Sequence, residues 1–170
     1  MHETVLTITS METLEEALAF KTLNEEWIAR IFTIEEADRV ILDNPVENIM
    51  NRGGDVLIAR DSDSIVGCVA LVPTGAGVFE LSKMSVTPEL RGRGYGRKII
   101  HAAINHARGL GATSLFLGSS TKLPNAVHLY ESVGFKHVPV EQIRPMPYVR
   151  ADVFMDMELV NTKTIFFKSQ

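Results

Sequence analysis

The sequence is poor in the residues that build covalent, metal-bound or membrane architecture. Cys68 is the only cysteine in 170 residues, so an internal disulfide is excluded and a reducing, cytoplasmic setting is expected. The longest apolar runs are strand-sized, too short to span a bilayer, so no membrane partner is expected. Met1-His2-Glu3-Thr4 lacks a basic region followed by an apolar stretch, so no secretory signal is expected. Basic charge is not in excess: 17 Lys and Arg against 21 Asp and Glu leave a formal net charge of −4. That argues against a nucleic-acid partner, whose phosphates require a basic face. His2, His101, His106, His128 and His137 show no paired spacing on a helix face, so no metal is expected.

What remains is an ordinary globular composition, 45% hydrophobic and 22% charged, sufficient for one domain with a real core. No repeat, low-complexity stretch or long linker interrupts it. Val5–Thr9 reads as a short strand, and Thr13–Arg30 as a helix with Phe20, Leu23, Trp27, Ile28 and Ile31 at helical spacing. Thr33 is expected to cap a second helix, with Glu36 completing a capping box. Asn44-Pro45 opens a third, which Gly53-Gly54 ends. Val56–Arg60, Ile65–Val72 and Val78–Val86 read as strands joined by hairpin-length turns. A strongly amphipathic helix carries Ile99, Ile100, Ala103, Ile104 and Ala107 on one face and stops at Gly109–Gly111. Ser114–Gly118 is a buried strand. Pro124 starts a helix with Ala126, Leu129, Tyr130 and Val133 on one face, and Phe135–Val140 and Asp152–Leu159 close the chain as strands. The expected fold is α/β: a mixed central sheet, antiparallel first and parallel around the glycine segment, with helices on both faces.

The local excess of positive charge lies at Arg91-Gly92-Arg93-Gly94-Tyr95-Gly96-Arg97-Lys98, between a strand and a helix. Glycines there let backbone N–H groups approach a ligand closely, with the helix N-terminus behind them, and the arginines add charge-assisted contacts. All three features favour a bound phosphate. The plain alternative is a glycine turn with solvated arginines. Two other phosphate loops fit poorly. Gly96 is followed by Arg97-Lys98-Ile99 rather than by the Lys-Ser/Thr of a P-loop, and Gly92, Gly94 and Gly96 lack the spacing of a dinucleotide fingerprint.

The segment Arg91-Gly92-Arg93-Gly94-Tyr95-Gly96 resembles the Arg/Gln-x-x-Gly-x-Gly/Ala signature of the GNAT family of N-acetyltransferases. Asn125, followed by Leu129-Tyr130-Glu131-Ser132-Val133-Gly134-Phe135, resembles the family's second signature, at a matching separation. The resemblance covers roughly residues 3–160. It implies one N-acetyltransferase-like domain over 1–160, with 161–170 a C-terminal tail of no assigned role. It further implies an acetyl-CoA-dependent N-acetyltransferase in which an amine, on a small molecule, amino acid or peptide, attacks the thioester directly. A non-catalytic CoA-binding regulatory domain is the alternative, and a homodimer is compatible with either.

Residue by residue, the resemblance implies that Met84, Ser85 and Val86 pair with the pantetheine arm through their backbone, and that Arg91 to Lys98 hold the pyrophosphate. Asn125 would bond the pantetheine, and Tyr130 would face the sulfur and protonate the departing thiolate. Tyr130 also shares a face with Ala126 and Val133, as a core tyrosine would. Independently of the family, transfer to an amine requires a proton acceptor, because amines are mostly protonated at neutral pH. Glu80 is the candidate, on the strand leading to the glycine segment and opposite in face to Phe79 and Leu81; a solvated strand glutamate is the alternative. The resemblance implies that the first long helix lies beside the acceptor groove, which makes Glu25 and Trp27 candidates there, with a solvated helix face and core packing as the alternatives. It also implies that the proline-stiffened segment before the last strand contacts the acceptor, which makes Arg144 and Arg150 candidates for an acceptor carboxylate. Arg150 pairing with Asp152 is the structural alternative, and Cys68 is expected to be a small core residue.

Overall fold

In the computed structural model, which describes residues 5–143 and 147–159, the chain begins with strand β1 (Leu6–Ser10) and helix α1 (Leu14–Ile31). Thr13 caps α1 by accepting from the Glu16 backbone at 3.1 Å, while the Glu16 carboxylate returns the bond to the Thr13 N–H. Helices α2 (Glu36–Asp43) and α3 (Pro45–Asn48) follow, then a 3₁₀ turn at Met50–Arg52 that Gly53 ends at a φ of 94°. The cap of α2 differs from expectation. Glu35, not Thr33, is the N-cap, and Asp38 closes the return bond to the Glu35 N–H at 2.8 Å. The helix starts where the Asp38 carboxylate can accept from its own first turn.

Strands β2 (Asp55–Asp61), β3 (Ser64–Gly75) and β4 (Val78–Val86) form an antiparallel meander. A 3₁₀ turn at Pro88–Leu90 leads through the glycine segment into α4 (Tyr95–Gly109). Then come β5 (Ser114–Ser119), α5 (Pro124–Val133), β6 (Lys136–His137) and β7 (Val153–Glu158). The sheet order is β1-β2-β3-β4-β5-β7-β6, with β4 and β5 the parallel pair. The strand expected over Phe135–Val140 shrinks to Lys136–His137. The Val138 N–H still reaches the Phe154 carbonyl at 2.8 Å, but Pro139 has no N–H and the chain turns into a 3₁₀ segment at Val140–Gln142.

Each face of the sheet has its own core. On one, Leu57, Val69, Leu71 and Leu115 pack under Ile99, Ile100 and Ala103 of α4. On the other, Val56, Ile58, Cys68 and Ala70 pack under Phe20 and Ile28 of α1, with Leu42 and Ile49 beside them. Alternating side chains of β2 and β3 thus divide between the two layers.

Two irregularities in β4 position everything that follows. Ala70 pairs with Ser82 and Cys68 with Ser85, so β4 has one residue more than β3 across this step. The extra residue is a β-bulge, and Lys83 within it sits at a φ of +54°. The bulge reverses the alternation: Phe79 and Leu81 belong to the α4 side before it, Met84 and Val86 after it. Glu80 and Lys83, three apart in sequence, therefore look the same way. The second irregularity is that β4 pairs with β5 only from Val78↔Ser114 to Glu80↔Phe116, while β4 runs on to Val86 and β5 to Ser119. Past Glu80 the two strands separate.

Candidate active site

A cavity of about 720 Å³ opens where β4 and β5 part. Its walls are Leu81–Val86 on one strand, Gly118–Ser120 on the other, the glycine segment at one end and Phe32, Tyr148 and Arg150 at the other. From Glu80 to Val86 the strand spans about 20 Å. Past Glu80, one backbone edge is hydrogen-bonded to β3 and the other has no strand partner among the described residues. An extended arm lying in the gap completes that edge as an added strand would.

At one end Gly92 and Gly94 adopt φ of 83° and 81°, a region that side chains disfavour, and a Cβ built on either meets no protein atom within 4 Å. The space beside the two glycines is open rather than packed, and Gly94 caps α4 without any side-chain hydrogen bond. The N–H groups of the first turn of α4 are thus available to an anion. Gly96 has a different reason to be glycine: a Cβ there would lie 3.1 Å from Leu129, where α4 packs on α5. The Tyr95 side chain is buried, its hydroxyl 3.0 Å from Asp61. Arg91 donates to the Val86 carbonyl at 3.1 Å and Arg97 to the Ser132 hydroxyl at 2.8 Å, and both line the cavity. Arg93 and Lys98 are exposed and do not line it.

Midway along, Met84, Ser85 and Val86 offer the open edge of β4, and Asn125 at the start of α5 faces them across the gap. The Ser85 hydroxyl turns away, donating to the Leu23 carbonyl at 3.3 Å. Tyr130 lines the cavity and packs edge-on against Phe135 with centroids 5.8 Å apart, and its hydroxyl makes no hydrogen bond among the described residues. Burial pushes its phenol up to about 12, so the proton stays on oxygen across the ordinary pH range.

The other end is dense with charge. Asp38 of α2, fully buried, accepts from the Lys83 ammonium at 2.7 Å and from both terminal nitrogens of Arg150 at 2.8 and 2.6 Å. Arg150 also reaches Glu35 at 3.1 Å, and Lys83 donates to the Tyr148 hydroxyl at 3.1 Å. Burial alone would raise the Asp38 carboxyl, but the Arg150 hydrogen bonds and the Lys83 charge outweigh it and hold the group at about 2. Burial pushes the Lys83 ammonium down, against the pull of Asp38. Glu80 lines the same wall; burial raises its carboxyl above the usual range, with the Lys83 charge opposing. Burial likewise raises Tyr148.

Arg150 therefore does not pair with Asp152, which instead accepts from the backbone and hydroxyl of Thr121. Trp27 lines the cavity, its ring N–H held by Asn24 at 3.0 Å. Glu25 does not: it lies in a separate small hollow with Lys21 and Asp43, on another side of α1. Arg144 lies outside the described residues. Cys68 is fully buried in the α1 layer, its thiol pushed up to about 12 by burial. Among the described residues, no three His, Cys, Asp or Glu side chains converge as metal ligands, and no helix is long and apolar enough to cross a membrane.

Sequence reasoning missed Asp38, Lys83 and Tyr148. Two of them left a signal. Lys83 falls on the apolar stripe of Phe79 and Leu81, and Asp38 stands between Ile34 and Ile41 on the inward face of its helix. A charge at such a position is buried with a partner.

A strand pair that separates over a glycine-arginine turn suits an extended ligand with a phosphate at one end. Comparison with known proteins identifies the class. The family model for the acetyltransferase (GNAT) domain matches residues 52–137. An uncharacterized N-acetyltransferase of Schizosaccharomyces pombe is 32% identical over 145 residues, covering 82% of this chain and 86% of the relative. In fold, a GNAT acetyltransferase from Staphylococcus aureus superposes with a TM-score of 0.82 at 20% identity, covering 92% of this chain and all (100%) of the other. A Salmonella typhimurium structure solved with its cofactor acetyl-CoA reaches 0.71 at 22% identity, over 91% of this chain and 94% of that one. The chain belongs to the GNAT family of N-acetyltransferases. It is an enzyme whose co-substrate is acetyl-CoA and whose acceptor is an amine; the non-catalytic alternative is not favoured.

Proposed function

We propose that this enzyme acetylates a small-molecule, amino-acid or peptide amine by direct attack on the thioester, with Glu80 as proton acceptor and Tyr130 at the sulfur. The observation that carries this reading is the unpaired edge of β4, with Glu80 where the strands part and Tyr130 lining the same gap. The residues present fit the co-substrate. The open space at Gly92 and Gly94, the uncapped start of α4 and the Arg91 and Arg97 side chains suit a pyrophosphate. Met84, Ser85, Val86 and Asn125 suit the pantetheine amides. The bound co-substrate supplies the thioester whose carbonyl carbon the acceptor nitrogen attacks.

Glu80 accepts the acceptor's proton as the C–N bond forms. Its raised carboxyl brings it closer to the ideal for a base working near neutrality. An N–H on the open edge of β4, at Met84 or its neighbour, donates to the carbonyl oxygen as negative charge develops there. Tyr130 keeps its proton at about 12, well above the ordinary thiol value of about 8.5. Its role is therefore to donate a hydrogen bond to the departing thiolate, short of full proton transfer. No side chain needs to become acylated. We further read residues 1–160 as the catalytic domain, the enzyme as cytoplasmic on the strength of its single buried Cys68, and a homodimer as its candidate assembly.

The test is acetyl-CoA-dependent thiol release across an amine panel, run for the parent and Glu80→Gln. The variant is expected to lose turnover about a hundredfold near neutral pH and to bind CoA as the parent does. The parent's rate should rise as pH passes through the raised Glu80 value, because the ionised form is the base. The variant should lack that limb, and superimposable profiles would remove Glu80 from the reaction.

A further inference from the structure

Charged groups at the acceptor end divide into those already matched and one left over. Among the described residues Glu80 is the only acidic side chain lining the cavity, against six basic ones: Arg30, Lys83, Arg91, Arg97, Lys122 and Arg150. Arg91 and Arg97 flank the glycine turn. Of the other four, Arg30 is 3.2 Å from Glu26, and Lys83 and Arg150 share Asp38. Lys122, in the turn between β5 and α5, has no ion pair among the described residues. Its ammonium lies 5.5 Å from the centroid of the Phe32 ring, and Arg150 lies 5.8 Å from the same ring. The Tyr148 ring carries Lys83 at 4.2 Å and Arg150 at 4.6 Å.

Carboxylates and aromatic faces are what draw a cation into a site. In this wall the carboxylates and the Phe32 and Tyr148 rings are occupied by the protein's own cations. Asp38 and Glu35 are hydrogen-bonded to Lys83 and Arg150, and the Phe32 and Tyr148 rings are covered by cationic side chains. Glu80 is left for the reacting nitrogen alone. Among the described residues a second ammonium on the acceptor finds no free counter-charge, and it meets Lys122 and Arg150 across Phe32. An anionic group finds Lys122 unpaired.

We infer that the acceptor is an amine bearing a carboxylate away from its reacting nitrogen, received by Lys122 beside Phe32, and that this wall rejects acceptors with a second cationic group. This rests on the transferase reading above. Rejection here is built from unfavourable placement of like charge, which discriminates as effectively as an added contact.

The experiment compares kcat/KM, by thiol release, for ω-amino carboxylates, plain alkylamines and α,ω-diamines of matched chain length. At the best length the carboxylate should exceed the alkylamine by about tenfold and the diamine by about a hundredfold. Lys122→Glu, at an exposed position, should invert the order of carboxylate and diamine while leaving the CoA-induced rise in melting temperature unchanged. A diamine as good as the carboxylate in the parent, or an order that Lys122→Glu does not alter, overturns this inference and leaves the transferase reading standing. No thiol release from any acceptor, with CoA still bound, overturns the transferase reading and this inference with it.

Discussion

The two ends of the cavity solve opposite problems with the same residue type. At the glycine turn, arginines stand exposed, held by one hydrogen bond each to Val86 or Ser132, over open space that a ligand is to fill. At the acceptor end, Arg150 and Lys83 are buried and fastened to one carboxylate, and the space beside them is shaped by a network already complete. The first end holds its cations loosely at the surface, Arg91 3.5 Å from the exposed Glu26, where a ligand can take them up; the second uses them on itself. Substitutions should therefore separate the two. At the turn they should cost affinity for CoA, and in the network they should cost the fold.

The largest effect is expected at Asp38. Asp38→Ala leaves Lys83 and Arg150 buried with their shared counter-charge gone, a loss of about 3–5 kcal/mol in denaturant unfolding. Acid should reproduce part of this in the parent. The Asp38 carboxyl lies at about 2 in the folded protein against an ordinary 3.8. Its contribution, about 2 kcal/mol, is complete above the ordinary value and is lost as pH falls through the folded one. Replacing Asp38, Lys83 and Arg150 together with apolar residues of similar size should recover most of the stability. A stable Asp38→Ala protein would dissolve the distinction between the two ends.

The same contrast explains what was legible in the sequence. The glycine turn is contiguous, so its chemistry is written in neighbouring residues from Arg91 to Arg97, and the element order follows from short-range periodicity. The network joins Asp38 to Lys83 and to Arg150, 45 and 112 residues away. No local pattern encodes such a meeting. Its register depends on a single extra residue in β4, which turns Lys83 to the side of Glu80, and a two-residue period does not foresee it. Arg150 was singled out as a cation near the acceptor. The structural alternative, Asp152, is adjacent to it in sequence, whereas Asp38, its partner in the fold, is adjacent only once α2 has docked.

Gly94→Val should come next in size and act on the opposite quantity. At a φ of 81° a branched side chain is strained, and its atoms enter the space beside the turn rather than any protein group. CoA affinity by calorimetry should fall about a hundredfold, with an unfolding loss of only about 1–2 kcal/mol. Unchanged affinity in a folded variant would show that the phosphate lies elsewhere.

Tyr130→Phe tests the middle of the cavity, where the two ends meet. The ring keeps its contact with Phe135, and the hydroxyl has no protein partner among the described residues to lose, so stability should barely move. If the hydroxyl bonds the departing sulfur, kcat should fall by tens of fold to about a hundredfold, the low end for a positioned acid because a phenol at about 12 lends a hydrogen bond without giving up its proton. CoA affinity should change by less than about tenfold. A kcat within about threefold of the parent would mean that the thiolate departs unassisted.

The smallest effect, and the one that tests the separation of the ends most finely, is expected for Arg91→Ala. Arg91 is exposed, its Nε donating to the Val86 carbonyl and a terminal nitrogen 3.5 Å from Glu26. An ion pair in that setting contributes little to folding, and Glu26 keeps Arg30 at 3.2 Å, so stability should stay within about 0.5 kcal/mol. What the variant loses is one charge-assisted contact to a phosphate, raising the CoA dissociation constant about tenfold at low salt. Screening weakens the same contact in the parent, so the two affinities should converge as ionic strength rises. At saturating acetyl-CoA, kcat should be unchanged, because Arg91 sits at the glycine turn while Glu80 and Tyr130, the proposed reacting groups, lie further along the gap. A drop in kcat at saturation, with affinity intact, would mean that Arg91 acts on the reacting groups rather than the phosphates, and the division of the cavity into a binding end and a reacting end would have to be given up.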